Sequence, residues 1–156
     1  MRKVFLVLCV LLLVAIGVQF YLAGVAVFTK PQTDSTFDAH KVNGEMIILP
    51  LAVVATVVGA VAKVPRKLIG TTFLIALLVP VQVLINTIGG RDDDKSTTAG
   101  TVIMGFHVIN GLIILLVARA AFDGTRALMK SGSGTRSAVT PAAPDTGSES
   151  AADPVG

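Results

Sequence analysis

Four stretches of this chain run for about twenty residues with almost no charge: residues 4–28, residues 45–62 with an N-terminal extension, residues 68–88, and residues 101–121. At 1.5 Å per residue, about twenty helical residues cross the roughly 30 Å hydrocarbon core of a bilayer. A soluble domain of 156 residues needs polar faces on its helices, and here 53% of residues are hydrophobic against 15% charged, with a mean hydropathy of +0.77. A soluble enzyme is therefore excluded. The expected fold is all-α, an integral membrane four-helix bundle made of two similar helical hairpins. Its helices are predicted at about 4–28, 36–62, 68–88 and 98–122, within a membrane domain over residues 1–130. Residues 131–156 are rich in Gly, Ser, Thr, Ala, Pro and acids and are expected to form a disordered cytoplasmic tail.

Charge placement sets the expected orientation. Arg2 and Lys3, then Lys63, Arg66 and Lys67, then Arg119, Arg126, Lys130 and Arg136 flank one side of the four segments, whereas the other two connections hold only Lys30, Lys41, Arg91 and Lys95 against Asp34, Asp38, Glu45 and Asp92 to Asp94. Because basic residues stay on the cytoplasmic side, both termini are expected there, in a multi-pass plasma-membrane protein. The net charge of +3 is thus a topology signal, and nucleic acid is not an expected partner. The first segment is far longer than a signal-peptide core, so an uncleaved helix is expected, and the bulky residues before Cys9 do not suit a lipoprotein site. As the single cysteine, Cys9 supports no intramolecular disulfide and no thiolate cage. Asp34 or Ser35 is the expected cap of the second helix and Ser96 or Thr97 that of the fourth. Pro50 and Pro80 are expected to bend their helices and open small cavities, and Pro65 marks a tight turn.

The most informative feature is a repeat that carries both histidines. His40-Lys41-Val42-Asn43-Gly44 opens the second helix, and His107-Val108-Ile109-Asn110-Gly111 lies in the fourth, in a chain with two histidines and three asparagines in all. At constant interval the match continues to Ile47 with Ile114 and Leu49 with Leu116. A weaker echo places Gln19 and Gln82 in the preceding helices, with Asn86 one turn beyond Gln82. Two hairpins that run the same way would be related by a pseudo-twofold axis along the membrane normal. Positions i, i+3, i+4 and i+7 share a helix face, so His40, Asn43, Gly44 and Ile47 form one stripe and His107, Asn110, Gly111 and Ile114 the other. Polar groups are costly against lipid, and these are expected to point inward. The glycines would let another helix or a flat ligand approach the backbone closely. The two histidines differ in estimated depth, an offset that tilt or the Pro50 bend must absorb if they share a ligand.

The basic N-terminus, Gln19, Phe37 with His40 and Gly44, the Gln82 region, and Gly105-Phe106-His107 with Asn110-Gly111 give the chain, from Met1 to Gly124, a resemblance to a family of small, uncharacterised actinobacterial four-helix membrane proteins. That family brings no established activity. More distantly, duplicated histidines on alternate helices look like those of membrane b-type cytochromes and the four-helix halves of haem A synthase, an architectural likeness that does not itself establish function.

Three functional classes follow. In the first, His40 and His107 are axial ligands of a b-type haem held between helices two and four, with Asn43, Asn110, Gln19, Gln82, Gly44 and Gly111 around it. Two axial imidazoles favour electron transfer over oxygen activation, as in a small respiratory accessory subunit with a redox partner protein. In the second, the two polar stripes only pack helices together in a membrane scaffold. In the third, the histidines line a small-molecule or proton pathway. A zinc or copper site of two histidines alone is under-liganded. The run Asp92 to Asp94 reads as a solvated loop, Phe37 and Phe106 are candidate pocket walls, and small residues over 53–59 and 70–73 suit a homodimer. The sequence has no P-loop, dinucleotide fingerprint, HExxH or catalytic triad pattern, so any catalysis would have to come through a bound cofactor.

Overall fold

The computed structural model describes residues 1–33, 35–89 and 97–137, and within these the charge-free runs are helical, with no strand. In lipid every backbone N–H and C=O must find its partner within the segment, which selects helix for such runs. We label them α1 (Arg2–Phe28), α2 (Asp38–Val61), α3 (Arg66–Gly89) and α4 (Thr98–Ser137). All four are long and apolar enough to cross a membrane. Their outer faces expose Val7, Val14, Val57, Leu77, Val108 and Leu116, an apolar surface matched to lipid rather than water.

The ends of the helices have specific causes. Lys63 has φ of 51°, and Val64 N–H bonds to the Gly59 carbonyl at 3.0 Å while Lys63 N–H bonds to that of Ala60 at 3.1 Å. This paired closure satisfies two orphan carbonyls of α2, and Pro65 then prevents the helix from resuming. The α2–α3 turn is correspondingly short. Thr97 caps α4, its hydroxyl accepting from Gly100 N–H at 3.0 Å. At α2 the expected cap is replaced: the helix opens behind Phe37 with no side-chain cap, and Ser35 Oγ instead pairs with Thr33 Oγ1 at 3.1 Å. Asp34, Asp92 to Asp94 and Ser96 lie outside the described residues. Helix α4 continues to Ser137, past residue 122 where its apolar pattern ends; residues 138–156, most of the expected tail, lie outside the description.

Packing makes the duplication explicit. Helix α1 buries Phe5, Cys9, Leu12 and Ile16, and α3 buries Leu68, Thr72, Ile75 and Val79, each 63 positions later. Helix α2 buries Asn43, Ile48, Ala52, Ala55 and Gly59; α4 buries Asn110, Ile114, Ala118, Ala121 and Thr125. The spacings agree from Ile48 and Ile114 onward. Before them they differ by one, since Asn43 to Ile48 is five steps and Asn110 to Ile114 is four. The extra residue is absorbed where α2 widens into a π-helical turn, Asn43–Ile48, between the α-helical segments Asp38–Val42 and Leu49–Val61. This corrects the constant-interval pairing: Ile47 is 49% exposed and Ile48 3%, so the partner of Ile114 is Ile48, and Leu49 falls opposite Leu115.

Near the opposite end of the bundle each hairpin meets the other through one polar contact, in which Cys9 and Thr72 are equivalent positions but Thr56 and Thr125 are not, the match of Thr125 being Gly59. Thr56 of α2 bonds Thr72 of α3 at 3.0 Å, and Cys9 of α1 lies 3.8 Å from Thr125 of α4. At that end the Phe5 ring packs on Gly59, where a methyl would stand 2.8 Å from the ring. Only glycine allows the ring so close.

Candidate functional site

Within each hairpin an asparagine ties two helices together in the same way. Asn43 Nδ2 donates to the Ala15 carbonyl at 3.0 Å and to Gln19 Oε1 at 2.7 Å. Asn110 Nδ2 donates to the Leu78 carbonyl at 3.0 Å and also to Gln82 Oε1. Ala15 and Leu78 each lie one turn before the glutamine of their helix. Both asparagines are buried, and in an apolar surrounding an amide left unbonded would cost about 1–3 kcal/mol.

The histidines are treated differently. His40 Nδ1 lies 3.2 Å from the Gln19 carbonyl and its Nε2 lies 3.1 Å from Gln19 Nε2. A carbonyl only accepts, so the hydrogen bonds assign the proton to Nδ1 and leave Nε2 accepting from the Gln19 amide. In the second hairpin Gln82 Nε2 turns to the backbone carbonyl of His107, at 2.7 Å. The His107 Nδ1 is buried and has no hydrogen-bond partner among the described residues.

Although 67 positions apart in the chain, the two imidazoles meet, with ring centroids 6.0 Å apart and planes inclined at 42°. The depth offset estimated from the sequence does not separate them. Phe37 stands edge-on to His40 at 6.3 Å. A cavity of about 450 Å³ opens here, lined by Gln19, His40, Gly44, Gln82, Asn86, His107 and Gly111, with Phe20, Phe37, Lys41, Glu45 and Met104 around them. This lies in the usual range for small-molecule sites. Asn43 and Asn110 stand behind the lining, and Phe106 is 57% exposed rather than a wall.

The glycine notches hold protein rather than open space. A methyl on Gly44 would lie 3.0 Å from Gln19 Nε2, and one on Gly111 3.6 Å from Gln82 Nε2. Gly44 therefore admits the glutamine amide that braces its hairpin, whereas at Gly111 a methyl would make only ordinary contact. Sequence reasoning missed the charged pair Lys41 and Glu45 at the cavity, and the Ala15 and Leu78 carbonyls. The signal for the carbonyls was their place four residues before each glutamine. Among the described residues there is no group of three His, Cys, Asp or Glu side chains able to hold a metal ion, so the nitrogen donors at the site are the two imidazoles.

A duplicated bundle of four potentially membrane-crossing helices, enclosing a ligand-sized cavity between two histidines, defines the class of protein. The chain is similar to a family of unknown function (DUF6220) over residues 19–88, a segment that holds Gln19, His40, Asn43, Gly44 and Gln82 but ends before His107. No curated protein and no solved structure matches it.

Proposed function

We propose that the chain is a multi-pass plasma-membrane protein, with both termini cytoplasmic, that binds b-type haem between α2 and α4 through His40 and His107. The observation that carries this reading is the meeting of two imidazoles, 6.0 Å between centroids, at a cavity of about 450 Å³. Rings this close would let His40 and His107 hold one metal-bearing group between them. His40 also has the accompanying bond typical of a metal-bound histidine, with Nδ1–H on a backbone carbonyl fixing the tautomer and ring orientation. The remaining lining is largely apolar, and Lys41, whose ammonium lies 3.7 Å from Asp38 Oδ1, would have to exchange that exposed pair to meet a ligand carboxylate.

When bound, haem supplies one-electron chemistry, and two axial imidazoles leave no position open for oxygen. The role is then electron transfer, or that of an accessory subunit beside a redox partner protein, with a homodimer compatible with the small-residue faces of α2 and α3. The test is a dithionite-reduced minus oxidised visible spectrum of detergent-purified protein from haem-supplemented cells. Sharp α and Soret bands at near-stoichiometric haem, lost in both His40→Ala and His107→Ala, are expected; a flat spectrum despite haem supply rejects the reading.

A second reading has its own support. The Asn43–Gln19 and Asn110–Gln82 bonds close entirely within the protein, as helix-packing glue requires. It is the account that remains if the protein stays colourless.

A further inference from the structure

The two histidines reach the cavity with different commitments. At His40 both ring nitrogens are engaged by one residue, Gln19, through its carbonyl and its side-chain amide. At His107 the matching amide, from Gln82, is spent on the backbone carbonyl, and Nδ1 is buried without a hydrogen-bond partner among the described residues. The difference lies in the acceptor that each glutamine Nε2 finds, because the Asn–Gln–carbonyl bridge is the same in both hairpins.

The lone pair of His40 Nε2 is the electron pair that any metal centre must take. It is directed at an N–H of Gln19. We propose that Gln19 is a displaceable internal cap on His40, so that a metal-bearing planar ligand engages His107 first and completes its site at His40 only when the Gln19 amide swings away. This rests on the haem reading for its ligand but not for the cap itself. Displacement breaks one hydrogen bond and leaves Nδ1–H on the Gln19 carbonyl, so the ring stays oriented while the nitrogen is released. Gly44 makes the cap sterically possible, since a methyl there would press on Gln19 Nε2 at 3.0 Å, whereas a methyl at Gly111 would meet Gln82 Nε2 at an ordinary 3.6 Å. Gln19 is a positioning residue in this scheme, acting through His40.

Two measurements on the full chain in detergent separate the cap from the ligand. In ligand-free protein with ¹⁵N-labelled histidine, Gln19→Met should shift the His40 ring nitrogens and leave those of His107 in place. Gly44→Ala, which keeps Gln19 but crowds its amide, should do the same, and Gly111→Ala should not. Unchanged His40 resonances in both variants overturn the cap whatever the ligand. In the second measurement, ferric haem is mixed rapidly with wild type, Gln19→Met and Gln82→Met. The expected course is a fast phase, giving a form with one imidazole bound, then a slower conversion to the six-coordinate low-spin spectrum. Gln19→Met should speed the slow phase about tenfold, the factor of a single net hydrogen bond, and Gln82→Met should leave it within about twofold. A slow phase that ignores Gln19→Met overturns the ordered scheme while leaving haem binding intact. Failure of every protein to move the Soret band away from that of free haem in the same detergent rejects haem instead, and the nitrogen resonances then decide the cap alone.

Discussion

The α1–α2 hairpin and the α3–α4 hairpin share their buried positions, their amide bridge and the sense in which they run, but differ at two points: a π-helical turn in α2 that α4 lacks, and the engagement of the histidine. In α4 the step from Asn110 to Ile114 is one regular turn; in α2 the step from Asn43 to Ile48 contains one residue more. In the first hairpin glutamine holds the imidazole, and in the second it holds the backbone behind the imidazole. The shared features all concern packing between helices. Both differences cluster beside the cavity, where π-helical turns and unpaired polar atoms tend to mark function rather than stability.

The sharpest way to break this comparison is to remove one residue from each side. Deleting Met46, which is 68% exposed within the π-helical turn, should let α2 close into a regular helix with Asn43 and Ile48 still on one face. The protein should fold, with its melting temperature within a few degrees of wild type. Deleting Ile113 from α4 should rotate Ile114, Ala118, Ala121 and Thr125 by about 100° relative to His107 and Asn110. Several buried side chains then face lipid or collide, and no monodisperse folded protein should be recovered. Circular dichroism melts and size-exclusion profiles in detergent check both. Equal tolerance, or equal failure, would remove the π-helical turn as the place of the extra residue.

The next effects test what the hairpins share. Asn43→Leu and Asn110→Leu each remove two hydrogen bonds and leave a glutamine side-chain oxygen unpaired, while the backbone carbonyl keeps its intrahelical partner, at a cost of about 1–3 kcal/mol. Denaturation in mixed micelles should give two losses within about 1 kcal/mol of each other, and a larger inequality contradicts the equivalence of the bridges. The histidines, in contrast, should separate. In ligand-free protein His40→Leu breaks two bonds with Gln19 and should cost about 1–2 kcal/mol, whereas His107→Leu replaces a buried unpaired nitrogen with carbon and should be neutral or slightly stabilising. A greater loss in His107→Leu would show that its ring has a partner in the folded protein.

Much of this was legible in the sequence, for a reason specific to lipid. Charge-free runs reveal helices of membrane-crossing length because charges are excluded from them, and the few polar residues inside such runs announce themselves. Gln19, Gln82, His107 and Asn110 stand out in that way, and the His-x-x-Asn-Gly repeat then points to His40 and Asn43 among the charged residues at the start of α2. The phase of the apolar residues was not legible. When solvent and core are both apolar a helix has no amphipathic stripe, and Ile47 and Ile48 are indistinguishable until packing buries one and exposes the other. The cap at Phe37 was missed because the polar residues of the preceding turn bond among themselves. The asymmetry of the histidines was hidden for a simpler reason: the glutamine, histidine and asparagine recur in both hairpins, and what each glutamine amide bonds is decided only in the packed structure.

The smallest effect probes the other end of the bundle, where the hairpins are joined to each other. Thr56 and Thr72 meet at 3.0 Å, but each also has a carbonyl one turn back, Thr56 on Ala52 at 2.8 Å and Thr72 on Ile69 at 2.9 Å. Thr72→Val therefore leaves Thr56 with an acceptor, and its cost should be about 0.6 kcal/mol, the average of interhelical bonds in membrane proteins. Where α1 meets α4, Thr125 already donates to the Ala121 carbonyl at 2.7 Å, so the contact with Cys9 at 3.8 Å uses the weak thiol donor. Cys9→Ala should accordingly lose little hydrogen-bond energy, and what it loses should reflect the sulfur's packing volume. A double-mutant cycle over Thr56 and Thr72, set beside one over Cys9 and Thr125, reads this directly. A coupling larger for the sulfur pair than for the threonine pair would overturn the ranking of the hydroxyl contact above the thiol contact.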